Sequence, residues 1–251
     1  MLIKLPYILA LASLLALPAG SAAQTDDKLT FHARAGVAVG GATPIGMPAS
    51  IRKIESYDPG FLPSLEAGLG YRFSRKFGVA AAIRFEQKGM TTEARVKGYY
   101  TTFNEGSNGD HDSVTGYFTG DVETKVRNRY LTVPLHLTYQ PAGRFVLKAG
   151  GFVSLSVSKR FTGSARDGYL RNETPVGERE DIDVASYDFS GNVRRIDAGA
   201  EIGADCHFAS RLYASANLSY ALTPLMERHF KSIGFGLHNI YLNLGIGYRF
   251  H

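Results

Sequence analysis

The chain has 251 residues, including 28 glycines, 14 tyrosines and 15 phenylalanines, with no tryptophan and one cysteine, Cys206. A single cysteine excludes an intramolecular disulfide. The formal net charge of +5 comes without a concentrated run of Lys and Arg, which argues against nucleic-acid binding and fits an anionic lipid surface better.

The N-terminus has the three parts of a secretory signal peptide. A basic start at Lys4 precedes an apolar run over residues 5–18, and small residues follow up to Ala23. A membrane anchor is the alternative, but the run is shorter than the ~20 residues that a spanning helix needs. We therefore predict a signal peptide at 1–23, cleaved after Ala23, and a mature domain at 24–251.

Eight segments of the mature chain alternate apolar and polar residues with period two. Taken in order, they cover residues 31–39, 65–73, 77–88, 130–139, 145–157, 196–206, 212–222 and 240–250. Pro134 interrupts the fourth segment but leaves its alternation unchanged, so we expect an unmade ladder bond facing the interior and no bulge. Such a pattern gives every strand one face for lipid and one for a polar interior.

This pattern predicts an all-β fold, an eight-stranded antiparallel up-and-down transmembrane β-barrel of the outer-membrane type. Only a closed barrel lets strands cross a bilayer with every backbone group paired. A soluble lipocalin-like barrel also has eight strands, but its apolar residues would line an interior cavity. The aromatic residues at the strand ends favour the membrane alternative, since they suit a membrane interface.

The connections between the segments alternate strictly between short turns and long loops. In outer-membrane barrels the short turns are periplasmic and the long loops extracellular, so both termini are expected in the periplasm. Nine outward aromatics are expected at this periplasmic end: Phe31, Tyr71, Phe73, Phe77, Tyr139, Phe145, Phe208, Tyr248 and Phe250. Loops 41–60, 90–126 and 159–190 would then carry any contact with an extracellular or envelope protein.

The inward positions hold charges of both signs in nearly equal number. We predict a lumenal charge network of Arg34, Glu66, Arg72, Arg84, Glu86, Lys88, His136, Lys148, Asp197, Glu201, Asp205 and Arg249. An eight-stranded barrel is just wide enough to be filled by side chains, so this network is expected to form a paired plug. A gated path for small ions or solutes through the same residues is the alternative.

A catalytic site is the third possibility. His136 and Thr138 share one face of a strand, with Ser154 and Ser156 on the next strand, but all four face the lumen, away from lipid substrates. Asn108, Asp110 and Asp112 place oxygen atoms at alternate positions, yet they lack the later bidentate Glu of an EF-hand. We therefore expect no enzyme activity, no metal and no cofactor.

Five segments resemble the outer-membrane β-barrel domain of the porin-like, PorT-like family common in Bacteroidota. Residues 130–139 contain its Tyr-Leu-x-x-Pro-Leu pattern, and the likeness extends through 148–151, 197–203, 219–222 and 245–250. The resemblance covers most of the mature chain and implies an outer-membrane location. It implies no catalytic residue.

The last strand is also similar to the signal read by the barrel-assembly machinery, with Asn243, Gly245, Tyr248 and Phe250 at its polar, glycine and aromatic positions. The sequence thus predicts an integral outer-membrane protein of a Gram-negative bacterium, with outer-membrane lipid and the assembly machinery as partners. Its expected role is surface binding or membership of an envelope or secretion assembly. A narrow pore is the alternative, and a lipid-modifying enzyme is less favoured.

Overall fold

The computed structural model describes residues 28–104, 113–172, 174–230 and 232–250. The predicted signal peptide, residues 1–23, lies outside the described residues. The described residues form eleven strands: β1 (Leu29–Pro44), β2 (Ile51–Asp58), β3 (Leu62–Arg72), β4 (Phe77–Asn104), β5 (Ser113–Ala142), β6 (Phe145–Ser158), β7 (Phe161–Asn172), β8 (Arg179–Asp188), β9 (Ile196–His207), β10 (Leu212–Ala221) and β11 (Leu237–Arg249). Among the described residues, no helix is long and apolar enough to cross a bilayer.

Eight of these strands form a closed antiparallel ring, in the order β1, β3, β4, β5, β6, β9, β10 and β11. The ring closes where the first strand pairs with the last, with Gly36 opposite Gly245. Closure leaves no unpaired barrel edge, as a membrane-spanning sheet requires. The predicted eight-stranded barrel is confirmed.

The ladder between β4 and β5 is interrupted at Pro134. Pairing runs from Phe77–Tyr139 to Ala81–Leu135 and resumes at Arg84–Thr132, with no change of register across the gap. Because proline has no N–H to donate, the missing pairs follow directly from its chemistry. The expected defect is present and no bulge accompanies it.

The outer surface of the barrel is an apolar belt, in which Ile83 and Leu135 are 60% and 61% exposed. Phe31, Phe77, Phe145 and Tyr248 lie at the end that carries the short turns and both chain ends, which we call the short-turn end. The other predicted girdle residues lie there too: Tyr71, Phe73, Tyr139, Phe208 and Phe250. The predicted aromatic girdle is confirmed.

The prediction of three long loops is wrong, because most residues in 41–60, 90–126 and 159–190 form strands. β4 and β5 continue past the barrel as a paired hairpin, β2 pairs with β4, and β7 and β8 form a second hairpin. Above the barrel β7 replaces β6 as the neighbour of β5. In this region the apolar residues of β4 face the interior, the reverse of their arrangement in the barrel.

These strands form a folded region above the barrel, at the end opposite the short turns. We call it the crown; its described residues are 42–58, 90–104, 113–126, 161–172, 174–193, 224–230 and 232–237. The crown has its own apolar core, in which Phe103 and Phe118 are buried with their rings edge to face, 5.2 Å apart. Burial raises the pKa of Tyr99 and of Tyr187, so both phenols stay neutral at physiological pH.

Candidate functional site

The centre of the barrel is occupied by the side chain of Arg84, which is 1% exposed. Its two terminal nitrogens donate to the two carboxylate oxygens of Glu201 at 2.8 and 2.7 Å, and its Nε donates to Glu66 Oε2 at 2.6 Å. Glu201 lies on β9, three positions around the ring from β4. This paired fork of hydrogen bonds therefore crosses the lumen.

Strand register explains why these charges meet. Arg34 on β1 lies opposite Glu66 on β3, and Glu66 lies opposite Arg84 on β4. Each of the three points inward at the same level, so the signs alternate from strand to strand. Arg34 Nη2 donates to Glu66 Oε2 at 2.7 Å, and Glu66 thus receives one guanidinium from each side.

A second layer surrounds Lys88, on the crown side of Arg84. Its Nζ lies 3.3 Å from Glu86 Oε1 and faces the rings of Tyr130, Phe152 and Tyr241 at 5.1, 4.9 and 5.7 Å from their centroids. Aromatic faces attract an ammonium group, and more strongly when it is removed from water. The predicted network included none of these three rings, although the alternation pattern placed Tyr130 on the inward face.

A third layer lies nearer the short-turn end. Lys148 Nζ donates to Asp205 Oδ1 at 2.6 Å and to Ser215 Oγ at 3.3 Å, and Arg34 Nη1 donates to the same Ser215 hydroxyl at 2.7 Å. Ser215 therefore joins this layer to the central one. It was absent from the predicted set because small hydroxyl residues are common on any lumenal face.

Ten of the twelve predicted lumenal residues thus lie in one connected cluster: Arg34, Glu66, Arg84, Glu86, Lys88, His136, Lys148, Asp197, Glu201 and Asp205. Arg72 and Arg249 lie at the short-turn end, where they line a cavity of about 140 Å³ that also reaches Glu66, His136, Lys148 and Asp205 of the cluster. There Arg249 Nη2 donates to the Ser210 carbonyl oxygen at 3.3 Å. The network therefore fills the middle of the barrel and leaves these two at its mouth.

Not every polar atom of the plug is satisfied. The hydroxyls of Tyr130 and Tyr241 and the side-chain amide nitrogen of Asn128 have no hydrogen-bond partner among the described residues. All three belong to the Lys88 side of the plug, whereas the oxygens of Glu201 both accept from Arg84. In the central layer His136 Nε2, beside Glu201, also has no hydrogen-bond partner among the described residues, so both layers keep unsatisfied polar atoms.

The residues considered for catalysis do not form a catalytic arrangement. His136 Nε2 lies 3.1 Å from Glu201 Oε1, while Ser154 Oγ lies 2.8 Å from Thr132 Oγ1 and Ser156 Oγ donates to the Ser158 carbonyl oxygen. Among the described residues no hydrogen bond joins the His136 ring to a hydroxyl, which a nucleophile and its base require.

Metal binding finds no support within the described ranges either. They contain no group of three or more His, Cys, Asp or Glu side chains placed to hold an ion. Asn108, Asp110 and Asp112 lie outside the described residues.

The four residues of the predicted assembly signal lie on or just after β11, the strand that closes the barrel. Asn243 and Gly245 face the lumen, whereas Tyr248 and Phe250 face outward at the short-turn end with ring centroids 5.0 Å apart. The aromatic pair is therefore accessible on the outer surface of the closed barrel. Its recognition by the assembly machinery stays a prediction.

The sequence matches the family model described as "Outer membrane protein beta-barrel domain" over residues 22–227, most of the chain. The chain belongs to this family. The family places the protein in the outer membrane of a Gram-negative bacterium. By the rule for short turns and long connections, the short-turn end faces the periplasm and the crown faces the cell exterior.

Solved structures give distant likenesses only. Ail of Yersinia pestis, in complex with the heparin analogue sucrose octasulfate, is 12% identical at a TM-score of 0.37, covering 90% of this chain and 100% of that one. OprG of Pseudomonas aeruginosa is 12% identical at 0.36, covering 92% and 100%. No curated protein matches the sequence. None of these likenesses is strong enough to inform the function of this protein.

Proposed function

We propose that this outer-membrane barrel is a non-enzymatic surface protein. In this proposal the charged network closes the lumen and the crown binds an extracellular or envelope protein. The central observation is Arg84, whose guanidinium crosses the lumen to Glu201 and also bonds Glu66. Removing one member of such a buried ion pair leaves the remaining charge buried without a partner, which is costly. The plug therefore resists opening. The barrel then serves as an anchor.

The crown supports the binding half of the proposal. It holds paired strands around an apolar core, so it presents a defined surface and not a set of mobile loops. Met47, Val176 and Val184 are exposed on it, as apolar side chains at interaction sites often are. The absence of a catalytic arrangement at His136 is consistent with a binding role.

The finer family assignment is part of the same proposal. We infer that the chain belongs to the PorT-like branch of outer-membrane barrels, on the strength of the Tyr-Leu-x-x-Pro-Leu pattern within residues 130–139. Membership of an envelope or secretion assembly is the second form that the proposed role takes.

A narrow pore is the second candidate, and one observation favours it. The hydroxyls of Tyr130 and Tyr241 have no hydrogen-bond partner among the described residues, so the Lys88 layer is incompletely bonded. A pore would require this layer and the Arg84 layer to rearrange together.

Conductance of the refolded protein in a planar bilayer distinguishes the two. We expect no channel openings from the wild-type barrel and discrete openings from Arg84→Ala, which removes the side chain that crosses the lumen. Leu218→Ala, a lipid-facing substitution on β10, is the matched control and should stay silent. Reproducible openings of the wild-type protein would overturn closure and favour the pore.

A further inference from the structure

We infer that the crown contains a binding site for a neutral aromatic molecule of one or two rings. The site is a cavity of about 220 Å³ between β2, the crown part of β4, and residues 233–237. An apolar cavity of about 150 Å³ is enough to hold benzene. The inference rests on the proposed binding role of the crown, but not on closure of the lumen, so conductance and ligand binding can fail separately.

Strand β2 is bent so that its apolar residues line this cavity. Ile51, Ile54 and Tyr57 are three residues apart, a spacing that would place them on opposite faces of a regular strand. Two register shifts, between Ile51 and Lys53 and between Ile54 and Ser56, correct this. As a result the three residues lie opposite Val96, Ala94 and Thr92, which face the interior.

The polar side-chain groups of the cavity wall are all hydroxyls. None of the described residues that line it is charged. The Tyr187 hydroxyl donates to the Glu123 carbonyl oxygen at 3.0 Å, and Thr124 Oγ1 lies 2.7 Å from that hydroxyl. A charged ligand would therefore lose its hydration without gaining an opposite charge, which excludes it.

Aromatic rings dominate the inner wall. The rings of Tyr187 and Phe189 stack at 5.0 Å, and Tyr99 approaches Phe235 at 6.2 Å. Aromatic pairs gain energy beyond their buried area, and a methionine sulfur such as that of Met90 interacts favourably with ring edges. A planar ring is thus the ligand shape that this wall fits best.

A space of this size is not an ordinary packing defect. Protein interiors leave few voids larger than a water molecule. The cavity also has an entrance from outside the cell, where Met47, Ile54 and Tyr57 are 59%, 45% and 51% exposed. A ligand can enter without passing through the barrel.

Indole is a suitable probe, because it is neutral and has two fused rings. Its fluorescence emission can also be separated from that of a protein that contains no tryptophan. We expect a saturable blue shift of indole emission with the protein in lipid nanodiscs, and no saturation with empty nanodiscs. Isoleucine methyl NMR locates the site: Ile51, Ile54 and Ile233 should shift in a saturable manner. Ile83 and Ile202, on the lipid-facing surface, should not.

Val122→Phe fills the cavity from β5 and should weaken indole binding by at least about tenfold, since apolar pockets discriminate strongly by volume. Val184→Phe, the same change at an exposed site of the crown, should leave binding unchanged. If Val122→Phe fails to fold, Met90→Ala decides, because it enlarges the cavity and should favour a three-ring probe, anthracene, over indole.

Two results would overturn the inference. One is a folded wild-type protein whose Ile51, Ile54 and Ile233 methyls do not respond to indole. The other is a response of those methyls to the acyl-chain composition of the nanodisc with none to indole, which would assign the cavity to a lipid chain. Either result leaves the conductance test of closure unaffected.

Discussion

Strand β4 runs through both the barrel and the crown, and its pattern of side chains reverses between them. In the barrel its apolar residues, such as Ile83 and Phe85, face outward while Arg84, Glu86 and Lys88 face inward. In the crown Ala94 and Val96 are buried inside, and Glu93 and Arg95 face outward. The reversal occurs between Lys88 and Met90, without a break in the strand.

This comparison shows that the surrounding solvent, and not the strand, decides which face is apolar. In the bilayer the outer face must suit hydrocarbon, so the polar groups gather inside and pair with one another. Outside the membrane the outer face meets water, and the interior becomes an apolar core like that of a soluble protein. One strand thus contributes to two interiors with different stabilising interactions.

Phe118→Ala should break the crown alone. Phe118 is fully buried against Phe103, so its loss should cost about 3–5 kcal/mol of unfolding free energy within the crown. A urea titration followed by near-UV circular dichroism in nanodiscs would measure it. Tyr100→Ala, at a half-exposed ring in the same hairpin, should cost much less; equal costs would contradict an apolar core in the crown.

Arg84→Met should break the barrel interior instead. It leaves Glu201 buried without its guanidinium partner and Glu66 with Arg34 alone, at a cost of about 3–5 kcal/mol for a disrupted buried pair. Guanidinium titrations in lipid vesicles would measure the loss. Adding Glu201→Gln should cost less in the Arg84→Met background than in the wild type, because the pair is already broken. Additive costs would show that the two side chains are not coupled.

Leu135→Arg tests the outer face of the barrel. Leu135 faces lipid, and an arginine near the bilayer midplane costs about 2–4 kcal/mol. The same titration in vesicles gives the value. Val184→Arg, on the exposed face of the crown, should have almost no effect because it meets water. A wild-type stability for Leu135→Arg would place that residue outside the hydrocarbon.

The smallest effect is expected at the Arg95–Asp121 pair on the outside of the crown. The Arg95 guanidinium beside Asp121 lowers the pKa of that carboxyl below its ordinary value. A lowered folded-state pKa gives stability that is present above the ordinary Asp pKa and lost as the pH falls through the lowered value. Because the pair is exposed, the acid dependence should be slight and should disappear in Asp121→Asn. A large loss of stability at acid pH that Asp121→Asn abolishes would contradict screening of the pair by solvent.

The barrel was predictable from the sequence because period-two alternation is a local property of each strand. The crown was not, for two physical reasons. Beyond Lys88 the alternation changes sign, so a search for outward apolar residues ended the strand too early. In β2 the bulges turn a spacing of three residues, Ile51 to Ile54 to Tyr57, into a single face, and bulges depend on the pairing partner.

The lumenal residues were predictable as a set but not as contacts. Parity alone places Arg34, Glu66 and Arg84 inward. Their meeting depends on the register of three strands around the closed ring, which a single sequence does not fix. The same holds for the rings around Lys88, which come from β5, β6 and β11.

One continuous sheet thus encloses two separately stabilised interiors. Amide hydrogen exchange on the wild type, Phe118→Ala and Arg84→Met in nanodiscs tests it most directly. We expect Phe118→Ala to speed exchange in β7 and β8 while β9 and β10 stay protected, and Arg84→Met to do the reverse. Faster exchange in all four strands for either variant would contradict it, because the barrel and the crown would then unfold as one unit.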